Sequence, residues 1–196
     1  EFVEVKPKGK REKAIIWLHG LGDSGHGWAG ITEELNLDDL NIHYLFPHAP
    51  SIPVTINGGM VMPAWYDIYE MTLARKIDQQ QIEQSAKDIQ TMIKQLIEQG
   101  LNSEDIMLVG FSQGGAVVYE AGLSFDQPLA GIAALSTYYA TSDSIKRHEA
   151  NQQTAILIQH GKQDPVVAPV LAEQAQQTLQ AQQYQVNLLQ GHRQMM

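Results

Sequence analysis

The stretch Ile106-Met107-Leu108-Val109-Gly110-Phe111-Ser112-Gln113-Gly114-Gly115-Ala116-Val117-Val118 runs an apolar strand into a helix-compatible segment through a glycine-flanked serine. This pattern constrains the fold more than any other in the chain. A serine on so sharp a strand-to-helix turn has strained backbone angles, and bulky neighbours at Gly110 and Gly114 would clash. The turn raises the Ser112 hydroxyl above the sheet edge. The helix behind it points its N-terminal amides at the same spot, where negative charge develops in acyl transfer.

That strand, Ile106 to Val109, is one of six short apolar runs that read as buried strands, with Ala14 to Leu18, Ile42 to Phe46, Gly131 to Leu135, Ala155 to Ile158 and Gln185 to Leu189. Continuous apolarity suits strands covered on both faces of a mostly parallel sheet. Between them, Ile82, Ala86, Ile89, Ile93, Leu96 and Ile97 recur at helical spacing, which predicts a helix from about Gln79 to Gln99, stopped by Gly100. Asp78 and Gln81 are placed for a capping box at its start. A second helix is expected from about Val170 to Gln182. Strand and helix in alternation predict one doubly wound α/β domain over residues 1–196, without repeat or linker. Pro47 to Ile77 shows no periodicity, but Met60, Val61, Met62, Trp65 and Tyr66 argue for an ordered, functional loop.

Of 196 residues, 43% are hydrophobic, enough for one sizeable core. The formal net charge of -9 argues against nucleic acid, whose binding needs Lys and Arg against phosphates, and against charge-driven membrane docking. The absence of cysteine excludes disulfides, thiolate metal sites and a cysteine nucleophile. No apolar stretch is long enough to span a bilayer, and the first residues contain no signal-peptide core. A cytoplasmic protein without stable membrane insertion is the expectation.

A serine nucleophile needs a base held by an acid. After a Gly-x-Ser-x-Gly elbow of the α/β-hydrolase kind, the acid and then the histidine follow in chain order. Asp126, Asp143 and Asp164 follow Ser112, and of these Asp164 lies just beyond an expected strand, where catalytic groups gather. His192 is the histidine that follows Asp164, behind Gly191. Upstream, Trp17-Leu18-His19-Gly20-Leu21-Gly22-Asp23-Ser24-Gly25 is a strand entering a glycine-rich turn. It suits an oxyanion loop, with amides from Leu21 and from Gln113, the residue after the nucleophile. Gly20, Gly22 and Gly25 also match a dinucleotide fingerprint, with Asp38 and Asp39 downstream. That reading needs a helix starting among the glycines and leaves the Ser112 elbow unexplained.

Together these residues resemble the carboxylesterase and acyl-protein thioesterase family, also called the phospholipase/carboxylesterase family. The matching pieces are Leu18-His19-Gly20-Leu21-Gly22-Asp23, Phe46-Pro47-His48-Ala49-Pro50, Pro53 to Gly59, Trp65-Tyr66-Asp67, Gly110 to Ala116, and His160-Gly161 with Asp164. The resemblance implies an α/β-hydrolase fold and a cofactor-free serine hydrolase of carboxylic esters, with thioesters and lysophospholipids as further candidates. It implies a triad of Ser112, Asp164 and His192, oxyanion amides from Leu21 and Gln113, and Trp65 and Leu73 lining the acyl site. Met62, from the same adaptable methionine-bearing segment, is expected there too. No metal is expected, since no histidine pair has ligand spacing on one helix. A small ester or acyl substrate is the expected partner, and a homodimer is compatible with the pattern. The tail departs from the family, which carries a closing amphipathic helix after its histidine. Here Arg193-Gln194-Met195-Met196 ends the sequence. The departure predicts a weakly supported His192, poor turnover and uncovered apolar sheet surface.

Overall fold

Apolar runs that lack polar alternation must be covered on both faces, and this chain covers them by returning to one sheet after each excursion. The computed structural model describes residues 1–191. In chain order the elements are β1 (Phe2–Val5), β2 (Lys13–Leu18), α1 (Ile31–Leu35), β3 (Ile42–Pro47), β4 (Ser51–Val54), β5 (Met60–Pro63), β6 (Ile68–Glu70) and β7 (Lys76–Ile77). There follow α2 (Gln79–Glu98), β8 (Ile106–Phe111), α3 (Gln113–Leu123), β9 (Gly131–Leu135), β10 (Ile156–Gly161), α4 (Pro169–Ala181) and β11 (Val186–Gly191).

Seven strands form the main sheet in the order β1-β3-β2-β8-β9-β10-β11. β1 runs antiparallel to β3 and every other pair is parallel. The six expected strands are present, each within a few residues of its expected ends. β1 was not expected: its four residues alternate between exposed and half-buried, so no apolar run marks it. The protein has the α/β-hydrolase architecture, a mostly parallel sheet with helices.

One apolar cluster joins the sheet to α2, α3 and α4 through Ile82, Ile89, Ile93, Val117, Leu171 and Leu179. A smaller cluster on Trp17, Tyr44, Phe46, Val109 and Leu135 is capped by Trp28 and the half-buried Ile31 of α1. On that side Leu157 is half-buried, and Leu189 of β11 is 55% exposed.

The segment from Pro47 to Ile77, expected as a loop, holds two short antiparallel ribbons, β4 with β5 and β6 with β7. Their two- to four-residue lengths and the prolines Pro53 and Pro63 leave no periodicity to read. The cap on α2 also differs in detail. The Asp78 carboxylate accepts from the Gln81 amide at 3.1 Å, as expected. The Gln81 side chain does not reach back to Asp78; its oxygen accepts from the Asp67 amide at 2.6 Å and ties the first turn to the strap before β6.

The order of strand addition reverses between the parallel strands β2 and β8. From β2 the chain moves to β3 on one side, and it later re-enters the sheet at β8 on the other. The loops leaving such neighbouring strands open a crevice at their carboxyl ends. Leu18 and Gly110 are register partners across this point, so the glycine-rich turn after β2 and the Ser112 turn after β8 emerge side by side.

Candidate active site

Ser112 joins β8 to α3 with φ 52° and ψ −117°, a left-handed conformation that a side chain adopts only under constraint. The constraint comes from neighbours. The Ser112 amide donates to the Leu135 carbonyl at 2.8 Å. Its carbonyl accepts from the Gly115 amide at 2.9 Å and from the Thr137 hydroxyl at 2.5 Å. A Cβ on Gly110 would run into the Gly114 carbonyl, and one on Gly114 would lie 2.6 Å from the Leu18 and His19 carbonyl oxygens. The glycines are therefore dictated by backbone-to-backbone packing.

The turn after β2 is pinned from inside. His19 is buried, with Nδ1 2.7 Å from the Gly20 carbonyl and Nε2 accepting from the Ala49 amide at 3.0 Å. That pattern puts the proton on Nδ1 of a neutral ring. Burial holds the imidazole below its ordinary value. Trp65 lies behind the same turn. It is 4% exposed, and its indole N–H donates to the His19 carbonyl at 2.8 Å. Its own amide donates to the Gln113 side chain at 2.7 Å, and that side chain donates to the Tyr66 carbonyl at 2.6 Å. The first residue of α3 is thus tied to the Trp65–Tyr66 segment. The backbone of this turn closes through Gly22, whose φ is 80° and whose amide donates to the Pro63 carbonyl at 2.8 Å.

Asp164 follows β10. One carboxylate oxygen accepts from the Val166 and Val167 amides, both at 2.9 Å, closing a short turn. The other oxygen lies 3.6 Å from His160 Nε2. His160 spends that nitrogen on the Val167 carbonyl at 2.8 Å. Beside this turn, Gly191 at the end of β11 accepts from the Lys162 amide at 2.6 Å. His192, the expected base, lies outside the described residues.

Ser112, Gln113, Leu21 and Asp164 all line one cleft of about 340 Å³ at this edge of the sheet. Four of the expected site residues are therefore brought together. Trp65, Met62 and Leu73 do not line it. Trp65 is buried behind the turn after β2. The Met62 sulfur is 3.9 Å from where a Cβ on Gly22 would stand, at the back of that turn. Leu73 is 62% exposed and borders a neighbouring groove.

Three further residues line the cleft: Tyr66, noted in the sequence only as part of an ordered loop and a family motif, and Tyr138 and Arg75, which were not noted. Tyr66 and Tyr138 share a hydrogen bond of 2.6 Å between their hydroxyls, and burial raises both phenols above their ordinary value. Arg75 stacks over the Tyr138 ring at 4.9 Å. Tyr138, just past the carboxyl end of β9, lies where strand-end reasoning could have found it. Nothing in the local pattern marks Arg75.

The rival dinucleotide reading of these glycines fails on geometry. Among Gly20, Gly22 and Gly25 the chain forms only a three-residue helical turn, Gly25–Gly27, and α1 begins at Ile31. No α-helix begins among these glycines, as the fingerprint requires. Among the described residues no group of His, Asp and Glu is placed to hold a metal, and no helix is long and apolar enough to cross a membrane.

A family model described as Phospholipase/Carboxylesterase matches residues 1–195. An acyl-protein thioesterase 1 of Gibberella zeae is 40% identical over 166 residues, covering 78% of this chain and 70% of the relative. The Neurospora crassa protein of the same name is 39% identical over 185 residues, covering 88% and 75%. The crystal structure of Arabidopsis thaliana SOBER1 superposes with a TM-score of 0.87 at 34% identity, over 92% of this chain and 88% of that one.

Proposed function

Because this chain belongs to the phospholipase/carboxylesterase family and is a serine hydrolase, we propose that Ser112 is its nucleophile, with Asp164 as orienting acid and His192 as base. An esterase or thioesterase activity accounts for the Ser112 elbow. Neither an oxidoreductase nor a fold without turnover is favoured by its relatives.

One observation carries the assignment. Ser112 is held at positive φ on the strand-to-helix turn, in one cleft with Asp164 and with the Leu21 and Gln113 amides. The hydroxyl attacks the acyl carbonyl as the base takes its proton. The developing oxyanion rests on the two amides. The base then returns the proton to the leaving alcohol or thiol, and water, activated by the same base, hydrolyses the acyl-enzyme. Asp164 fits the acid's role in one further respect. Its first oxygen is filled by two amides, and the second remains to accept from an imidazole.

The substrate we infer is an apolar acyl ester or thioester. Leu21, Ile68, Met71, Phe111 and Val167 supply an apolar cleft wall. The names of the fungal relatives favour acyl thioesters on proteins, and the cleft volume suits short to medium chains. The same reading has the protein act in the cytoplasm without nucleic acid, in keeping with a net charge of -9. Turnover of p-nitrophenyl esters and of acyl thioesters by wild type and Ser112→Ala tests the assignment. Loss of several orders of magnitude in the variant, with the fold retained, is expected. Wild-type turnover by Ser112→Ala rules the reading out.

A further inference from the structure

Arg75 stands in an arrangement that packing alone does not explain. It follows the turn between β6 and β7, with φ 33° and its amide donating to the Thr72 carbonyl at 3.0 Å. Its side chain turns inward until the residue is 9% exposed. Taking a guanidinium out of water is costly without a countercharge, and no carboxylate lies within ion-pair distance of it among the described residues. Its partners are the Met71 sulfur at 2.7 Å, the Val166 carbonyl at 2.9 Å and the face of Tyr138. Nε has no partner among the described residues.

What the side chain gains is a bridge between three segments. Tyr138 leads through its hydroxyl to Tyr66, whose carbonyl accepts from Gln113 at the start of α3. On the other side Val166 belongs to the turn whose amides fill one oxygen of Asp164. Val166 is itself 63% exposed, so apolar burial does not hold it in place. The Asp164 turn is clamped at Val167 by His160 from the sheet and at Val166 by Arg75 from the β6–β7 turn.

We propose that Arg75 is a positioning residue for the reaction: its hydrogen bond to Val166 fixes the turn that aims Asp164 at the base. This rests on the reading of Asp164 as the acid. Among the described residues, the groups around Asp164 that bear charge or titrate are His160 on β10, Arg75 in the β6–β7 turn, Asp23 across the cleft and the hydroxyls of Tyr66 and Tyr138, whose pKa burial raises. Loosening the turn moves the carboxylate away from the imidazolium it stabilises. The base then loses affinity for its proton, and the rate falls because misplacement by about an ångström can cost roughly a hundredfold.

The experiment compares kcat and KM across pH for wild type, Arg75→Met, Arg75→Lys and Asp164→Asn, with the melting temperature of each. Arg75→Met is expected to lower kcat by about tenfold to a hundredfold, to leave KM nearly unchanged and to move the acidic limb of the kcat/KM profile to lower pH. Arg75→Lys, which keeps one donor for Val166, is expected to recover part of kcat and move the limb back. An Arg75→Met enzyme that folds with kcat and the limb unchanged overturns the proposal, as does a change confined to KM. Should Arg75→Met fail to fold, Arg75→Lys decides: wild-type kcat with a wild-type limb overturns the proposal. Full activity of Asp164→Asn, by contrast, removes the acid assignment itself.

Discussion

A Cβ at residue 110 would occupy the space of the Gly114 carbonyl, and that single overlap explains why the elbow tolerates no larger residue there. Backbone cannot move aside as a flexible side chain can. Gly110→Ala is therefore expected to destabilise by about 3 kcal/mol, a fall in Tm of roughly 6–12 °C for a chain of this size. A Tm within 2 °C of wild type, read by calorimetry (roughly the noise of a small surface effect), contradicts the packing account. Trp65 is the residue at which sequence and structure part. The resemblance to the carboxylesterase and acyl-protein thioesterase family implied that it lines the acyl site, in a stretch that is apolar yet loop-like. The structure turns its N–H onto the His19 carbonyl, behind the turn after β2. Apolarity indicates that a side chain is buried but not against which surface. Trp65→Phe keeps most of the ring and removes the donor. It is expected to lower kcat about tenfold, the scale of losing one geometric restraint on a catalytic amide, with an unchanged acyl-length profile. A shifted profile at unchanged kcat returns Trp65 to the acyl site.

Among the elements, α2 was the most legible. Its apolar residues Ile82, Ala86, Ile89, Ile93 and Leu96 are buried at helical spacing, and Asp78 caps it. Long periodic segments announce themselves, whereas the ribbons β4–β5 and β6–β7 do not, because two to four residues carry no period. The cleft's second wall therefore escaped the sequence: Tyr66, Ile68, Met71 and Arg75 come from these ribbons and their turns. The cap was legible only in part, since the choice of Gln81 for Asp67 over Asp78 depends on a chain segment that arrives from the ribbons. Asp78→Ala removes the cap and the bond from the Tyr69 hydroxyl. It is expected to cost about 1 kcal/mol, or roughly 2–4 °C in Tm. An unchanged Tm in a thermal melt followed by circular dichroism would show that the cap is redundant with the Gln81–Asp67 tie.

At the scale of the whole molecule, acid is the expected weakness. His43 on β3 is buried, with Arg11 donating to Nδ1 at 2.9 Å and Nε2 2.8 Å from Glu4 on β1. Accepting from Arg11 requires a neutral ring, and burial holds this imidazole below its ordinary value despite the Glu4 carboxylate. His19, buried under the turn after β2, is held low in the same direction. The folded protein thus binds fewer protons at these sites than the unfolded chain. Their contribution to stability is complete above the unfolded histidine value of about 6.5 and is lost as pH falls from there through the lowered folded values. Tm is expected to drop between about pH 7 and pH 5. His43→Gln should drop less steeply over that range, and an equal slope in the variant would remove His43 from the account.

The claim on which the rest depends is that the acyl group passes through Ser112. Labelling of the wild-type chain with a fluorophosphonate, followed by peptide mapping in a mass spectrometer, tests it most directly. The account predicts a single adduct per chain, carried by the peptide containing Ser112, with ester turnover lost in proportion to labelling. An adduct on Ser136, the other serine of the cleft, or complete labelling that leaves turnover intact, would contradict it.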